Sequence, residues 1–418
     1  MHQDAERNYA AVGEQLEAII ANAAGALLGA GDTDFLLNAA PHGRHGVPAL
    51  AAAEPVFAGQ PVLATEAAGG YILDNGIIRA VINADGLLAS LVDYASGRDA
   101  IAPGQFGNLL ELHRDTPNEW DAWDIDAFYR RNVVPLTGAR SVTVVESGGR
   151  DAVVVVERLA GSSPVTQRIS LAAGAGSLAI STAVDWQESE KLLKLGFGLD
   201  VRADRSASET QFGHVFRPTH LNTSWEAAKF EICAHRWIHV AEPGYGVAVS
   251  NSSTYGHDVT RNIREEDGGT TTTVRLSLLR APRFPDPGAD RGRHELQVTI
   301  RPGASIADAV EEGYRTNLAP RVLKGAHGVE PLLRVSNPGL VVEAVKLAED
   351  GSGDVIVRIY ESLGERSAGS VRADFGVSNV QTVDLLERPA AAPGVTFEGA
   401  SAELALRPFQ LVTLRFVR

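Results

Sequence analysis

From Tyr71 to Ile300 the chain is a succession of short apolar or alternating runs broken by tight turns, with no helix-length pattern among them. Tyr71-Ile72-Leu73 and the run 77–82 flank Asp74-Asn75-Gly76, a hairpin signal, and Ala84-Asp85-Gly86 leads into a further run at 87–92. More strands are expected at 152–158, 165–171, 178–186, 192–201, 230–234, 246–250, 272–279 and 294–300. Parallel strands need crossover helices, so strands in this density and order must pair antiparallel. The expected fold class is mainly β: an N-terminal α-helix, a large antiparallel two-sheet supersandwich over 66–317, and a small β-sandwich over 332–418.

The flanks complete that division. Tyr9, Val12, Leu16, Ile19, Ala23 and Leu27 recur at spacings of three and four, which predicts an amphipathic helix over 1–31. Asp4 is placed to cap its start, and Gly29 and Gly31 to end it. One helix cannot bury such a stripe alone. Residues 32–65 are rich in Ala, Gly and Pro and read as a linker with an edge strand at Phe35-Leu36-Leu37. A short helix is expected at 305–314, with Ser305 as cap and Asp308 three residues on. The segment 318–331 contains Pro320, Gly325, Gly328 and Pro331 and is expected to link the two β units.

Composition excludes whole classes of function. The formal net charge is −14, and no Lys/Arg-rich run offers the footprint that nucleic acid or an anionic membrane requires. No run is long and apolar enough to span a bilayer, and the first residues lack the apolar core of a signal peptide. The cytoplasm is the expected location. Cys233 is the one cysteine, so no disulfide can form within the chain; its apolar neighbours predict an inert core thiol.

The densest chemistry lies in Asn118-Glu119-Trp120-Asp121-Ala122-Trp123-Asp124-Ile125-Asp126. Indole faces stack on the C–H faces of sugar rings, and carboxylates accept hydrogen bonds from sugar hydroxyls. Such a segment suits a neutral, polyhydroxylated ligand, although two half-buried tryptophans closing one end of a sheet would read the same way. Asp121, Asp124 and Asp126 could provide the carboxylate pair of a glycosidase, but acid pairs at these spacings are common on solvated faces. A second Pro/Gly-rich loop runs from Arg280 through Asp286 and Asp290 to His294. His214, His220, His235, His239 and His257 cluster in sequence, yet no H-E-x-x-H pattern is present and no metal ligand is assigned. Neither a G-x-S-x-G elbow nor a phosphate-binding G-x-x-x-x-G-K-[ST] loop occurs.

Several of these pieces, collinear over nearly the whole chain, resemble the C-terminal half of a glycoside hydrolase family 38 α-mannosidase of the cytosolic and bacterial type. They are His2-Gln3-Asp4-Ala5-Glu6-Arg7-Asn8-Tyr9, Trp120-Asp121-Ala122-Trp123-Asp124, Phe212-Gly213-His214 with Arg217-Pro218-Thr219-His220 and Asn222-Thr223-Ser224-Trp225, Gly244-Tyr245-Gly246-Val247-Ala248 with Tyr255-Gly256-His257, and Leu278-Leu279-Arg280 through Pro285-Asp286 to Asp290-Arg291-Gly292-Arg293-His294. The resemblance implies a retaining mannosidase with a galactose-mutarotase-like supersandwich. Its zinc, nucleophile and acid would lie in an N-terminal β/α barrel that nothing in this chain matches. This chain would then hold no catalytic residue and no cofactor of its own. Substrate-binding residues would be Trp120, Asp121, Trp123, Asp124, Asp126, Arg280, Asp286, Asp290 and His294 at the mouth of one groove, with Arg280 keeping a carboxylate ionised. The expected partners are an α-mannoside carbohydrate, a separately encoded barrel and a second copy of the chain, but neither nucleic acid nor membrane. The start of the chain, at the last helix of the family's middle segment, points to a truncated or split reading frame. Two other readings stay open: a stand-alone carbohydrate-binding or scaffold sandwich, and a sugar-epimerising mutarotase-like sandwich, whose His/Glu pair the sequence does not assign.

Overall fold

The computed structural model describes residues 2–418. Its regular structure is strands, apart from helices His2–Leu28, Ser224–Ala228 and Ile306–Asn317 and a 3-10 turn at Ala127–Arg131. Two compact units are formed: Ala58–Asn317, and Met1–Phe57 together with Leu318–Arg418.

In the Ala58–Asn317 unit a nine-stranded, a six-stranded and a five-stranded antiparallel sheet share one hydrophobic core. Period-two burial drives the arrangement. In Leu178–Trp186 the side chains of Leu178, Ile180, Val184 and Trp186 are fully buried while Ser181 and Asp185 face out. Each large apolar group buried this way contributes about 1.5–3 kcal/mol. A one-residue slip would turn the whole set into solvent, which pins the pairing with Gly292–Pro302.

The six-stranded sheet positions the candidate site. Its order is Ile232–Cys233, Gly256–Ile263, Thr270–Arg280, Lys191–Leu199, Leu109–Arg114, Val133–Pro135. Leu110, Leu112, Leu193, Leu195, Phe197, Val274 and Leu276 point to the core. The alternate positions, Glu111, His113, Lys194, Asp258 and Arg275, therefore share the opposite face. Beside the nine-stranded sheet, Ile306–Asn317 is held by a reciprocal cap: Ser305 N donates to Asp308 Oδ2 at 2.8 Å and Asp308 N to Ser305 Oγ at 3.2 Å.

The other unit holds two four-stranded sheets around Val357, Ile359, Val371, Leu404, Leu414 and Phe416. The segment 318–331 is not a bare linker. Its strand Arg321–Gly325 pairs with Thr33–Asn38, which also pairs with Ala51–Ala53, and Leu28, Phe35 and Ala52 pack below. Val322 and Leu323 give too short an alternation to register between the flanking Pro and Gly residues. The helix His2–Leu28 falls within the expected 1–31, with Asp4 inside it and not at its cap. Asp4 lies in the first turn and pairs with Arg7, while Gly29 at φ +69° closes the other end, its N–H on Gly25 O at 3.0 Å. Among the described side chains of the helix only Ala24 and Leu28 are buried; Tyr9, Val12, Leu16, Ile19 and Leu27 are all exposed.

Candidate functional site

Two loops meet where the strands Leu109–Arg114, Lys191–Leu199 and Thr270–Arg280 end. Arg280 is the staple. Its Nε donates to the buried Asp115 Oδ2 at 2.6 Å, and its Nη2 to the backbone carbonyls of Asp124 at 2.8 Å and Asp121 at 3.2 Å. In return Asp121 Oδ2 accepts the N–H groups of Arg283 at 2.6 Å and Phe284 at 2.9 Å. The Arg280 backbone is fixed from below, since its carbonyl accepts the indole N–H of fully buried Trp186 at 3.2 Å.

Within the 118–126 loop, Trp120 takes a left-handed φ of +57°, and its carbonyl accepts from Trp123 N at 2.7 Å and Asp124 N at 2.9 Å. Asp126 Oδ2 closes the turn on Asn118 N at 2.7 Å. The result presents both indoles outward, Trp120 at 67% exposure and Trp123 at 68%. A tightly hydrogen-bonded loop that spends its strain on exposing two large apolar rings is not built for core packing.

The residues expected to line the site thus separate into two groups. Trp120, Asp121, Trp123, Asp124, Asp126 and Arg280 come together. The hydrogen bonds of Asp286, Asp290 and His294 are local: Asp286 Oδ1 accepts Gly288 N at 2.9 Å, and His294 Nε2 lies 2.6 Å from Asp290 O. The carboxylate that Arg280 holds is Asp115, and Arg280 reaches Asp121 and Asp124 through their backbones. Asp115 escaped notice because one acid beyond a strand carries no pattern of its own.

The same connection continues into Ala127–Arg131, which lays Tyr129 and Arg130 over the polar face of the six-stranded sheet. There Lys194, fully buried, lies 2.6 Å from Asp258 Oδ2 and 2.5 Å from Glu231 Oε1, and donates to Tyr129 Oη at 2.9 Å. Tyr129 Oη also hydrogen-bonds Glu231. Arg275 bridges Glu111 at 2.8 Å and Asp258 at 3.1 Å, and Arg130 approaches Asp258 at 3.4 Å. Three cations face three carboxylates, so the cluster is close to neutral.

Burial works against charge on Lys194, but Asp258 and Glu231 outweigh it and hold the ammonium above the ordinary lysine value. Burial likewise opposes ionisation of Asp258, and Lys194, Arg275 and Arg130 reverse that and hold it below the usual carboxylate range. Burial pushes the Tyr129 hydroxyl up to about 12. None of these groups was singled out from sequence. The available signal was a charged residue at mid-strand between two apolar ones, Lys194 between Leu193 and Leu195 or Arg275 between Val274 and Leu276.

Residues 73–288, just over half the chain, match the glycosyl hydrolases family 38 C-terminal domain. The chain belongs to glycosyl hydrolase family 38. Residues 339–414 match that family's C-terminal beta sandwich domain as well. Alpha-mannosidase 2C1 of Homo sapiens is 36% identical over 384 residues, covering 89% of this chain and 36% of the human protein. Alpha-mannosidase G of Dictyostelium discoideum is 30% identical over 382 residues, covering 86% of this chain and 34% of that protein. The family 38 chain thus spans about a third of the length of these relatives. The crystal structure of an alpha-mannosidase from Enterococcus faecalis V583 superposes with a TM-score of 0.66 at 16% identity, over 85% of this chain and 43% of that one, a likeness of fold.

Three histidines of this family 38 chain, His214, His239 and His257, sit apart in structural roles. His239 Nε2 lies 2.7 Å from Ala304 O, His257 Nδ1 lies 3.1 Å from Tyr255 O, and His214 packs against Phe216 and Trp237. Among the described residues no three His, Cys, Asp or Glu side chains converge as a metal would require. No helix is long and apolar enough to cross a membrane among the described residues. Cys233 is exposed, contrary to its apolar sequence context, because the 230–234 run forms only the edge strand Ile232–Cys233.

Burial lowers His257 to about 4 from an ordinary 6.5, so the folded protein keeps it neutral where the unfolded chain protonates. Its contribution is fully present above about pH 6.5 and is lost as pH falls toward about 4, by on the order of 3 kcal/mol. His239, lowered by burial too, acts in the same direction. Denaturant unfolding at neutral and mildly acidic pH measures the loss, and His257→Gln should flatten it.

Proposed function

We propose that this chain is the sugar-facing portion of a retaining α-mannosidase acting on α-mannosides and their oligosaccharides. The observation that carries this reading is the stapled loop: Arg280 and Asp121 lock two segments far apart in sequence while Trp120 and Trp123 stay open to a ligand. The exposed indoles would form the stacking platform, and Asp124 would accept hydroxyl hydrogen bonds beside them. Asp121 and Asp126, each with one oxygen committed to backbone N–H groups, would shape the loop. Asp286, Asp290 and His294 belong to the proposal as an outer wall, on the strength of following Arg280 in the chain. Bond cleavage would be performed by a zinc-dependent barrel contributed by polypeptide outside these residues, in the cytoplasm.

Complementation tests this reading. A family 38 barrel polypeptide is combined with the chain, and hydrolysis of an aryl α-mannoside is followed. Turnover should require both parts and fall roughly 100-fold or more in Trp123→Ala or Asp124→Asn at unchanged melting temperature, since misplacing a substrate by about 1 Å costs that much. Turnover indifferent to this chain would overturn the proposal. Sugar binding with no complementation would favour a stand-alone carbohydrate-binding sandwich.

A barrel partner also accounts for the helix His2–Leu28, whose apolar side chains Tyr9, Val12, Leu16, Ile19 and Leu27 are exposed. Left uncovered, such a face drives association. The purified chain is therefore expected to self-associate with rising concentration in light scattering. Leu16→Glu with Ile19→Glu should return it toward a monomer, whereas a monomer at every concentration would remove the need for a covering partner.

A further inference from the structure

A cavity of about 460 Å³ lies on the polar face of the six-stranded sheet, lined by Glu111, His113, Arg130, Asn222, Thr260 and Arg275 among others. We propose that it binds a neutral, polyhydroxylated ligand of monosaccharide size, a hexopyranose. Its size falls in the range of small-ligand sites. Its charges select against ions. Arg275 and Arg130 are each set against Asp258, and Arg275 also against Glu111. An anion entering to meet the guanidiniums meets both carboxylates, and a cation meets both guanidiniums. A hydroxyl group, donor and acceptor at once, can use either member of each pair.

Two further observations point to a ligand and not to a void left by packing. His113 lines the cavity at 5% side-chain exposure, and its Nδ1 has no hydrogen-bond partner among the described residues; its Nε2 lies 3.3 Å from Glu111 Oε2. Buried ring nitrogens are ordinarily satisfied, and ligand hydroxyls or water would complete them. The walls are also rigid. Glu111, Thr260 and Arg275 stand on three strands of one sheet, and Arg275 ties them by hydrogen bonds of 2.8 Å to Glu111 and 3.2 Å to Thr260. A preorganised polar wall loses little on binding.

The inference does not rest on the tryptophan loop. It is tested in a Trp120→Ala/Trp123→Ala background, so that the loop platform cannot contribute. Saturation-transfer NMR is recorded on the whole chain with methyl α-D-mannopyranoside, D-glucose, a hexose 6-phosphate and a hexosamine. The neutral sugars should give transfer, and the phosphate and the amine should bind roughly tenfold more weakly or not at all. Thr260→Val, a near-isosteric change, and Asn222→Leu, which fills the rim, should each weaken the neutral sugar by roughly tenfold at unchanged melting temperature. No transfer from any neutral sugar, tighter binding of the phosphate or the amine, or neutral-sugar binding unaffected by both substitutions overturns the assignment.

Discussion

Lys194→Met is expected to lower the stability of the chain by about 3–5 kcal/mol, the usual consequence of removing one member of a buried ion cluster. Methionine fills similar space, so the loss is electrostatic. Asp258, itself almost fully buried, would keep Arg275 and Arg130 but lose its closest cation, and Glu231 would lose its ammonium partner. For a unit of this size the melting temperature should drop by about 6–15 °C. The double variant Lys194→Met/Asp258→Asn should recover part of that loss, because it removes the stranded charge together with its partner. Calorimetry of the two variants decides the matter: equal destabilisation by both would mean that packing, not charge, is what Lys194 supplies. The pH dependence follows from the same geometry. Asp258 is held below its ordinary value, so its contribution is present above the usual carboxylate range and lost as pH falls through the depressed value.

That cluster also marks where sequence stops being informative. Strand positions were legible because burial has a period of two: the run expected at 178–186 is the strand Leu178–Trp186. The helix cap at Ser305 and Asp308 was legible because its signal lies within four residues. The family was legible through motifs spread collinearly along the chain. Lys194, Asp258, Arg275 and Glu111 were not, because each stands on a different strand and only the sheet order sets them side by side. The meeting of Trp120–Asp126 with Arg280 could be stated beforehand as an expectation; the carboxylate that anchors Arg280, Asp115, could not. A reach of that kind depends on where three strands end, and strand ends are the part of a sheet that periodicity defines least well.

The chain on its own is expected not to hydrolyse an aryl α-mannoside, with or without added zinc. A retaining glycosidase needs a free nucleophilic carboxylate and a protonated partner about 5–5.5 Å away. Three aspartates beside the exposed indoles are engaged by backbone N–H groups. Asp121 accepts two backbone N–H groups, Asp126 accepts Asn118 N, and Asp124 Oδ1 accepts the N–H of Ile125. Asp115 is buried against Arg280. Each of these four carboxylates thus has an oxygen committed to holding the loop in shape. On the polar sheet face burial opposes ionisation of Glu111 and Asp258, but the His113 hydrogen bond and Arg275 hold Glu111, and Lys194, Arg275 and Arg130 hold Asp258, below their ordinary values, so neither is suited to donate a proton near neutral pH. With no assembled acid, the rate should stay at background in a sensitive fluorogenic assay. Zinc-dependent turnover by the purified chain, abolished by Asp124→Asn while the melting temperature holds, would show instead that this loop carries chemistry of its own and that the division of labour proposed for the two parts is wrong.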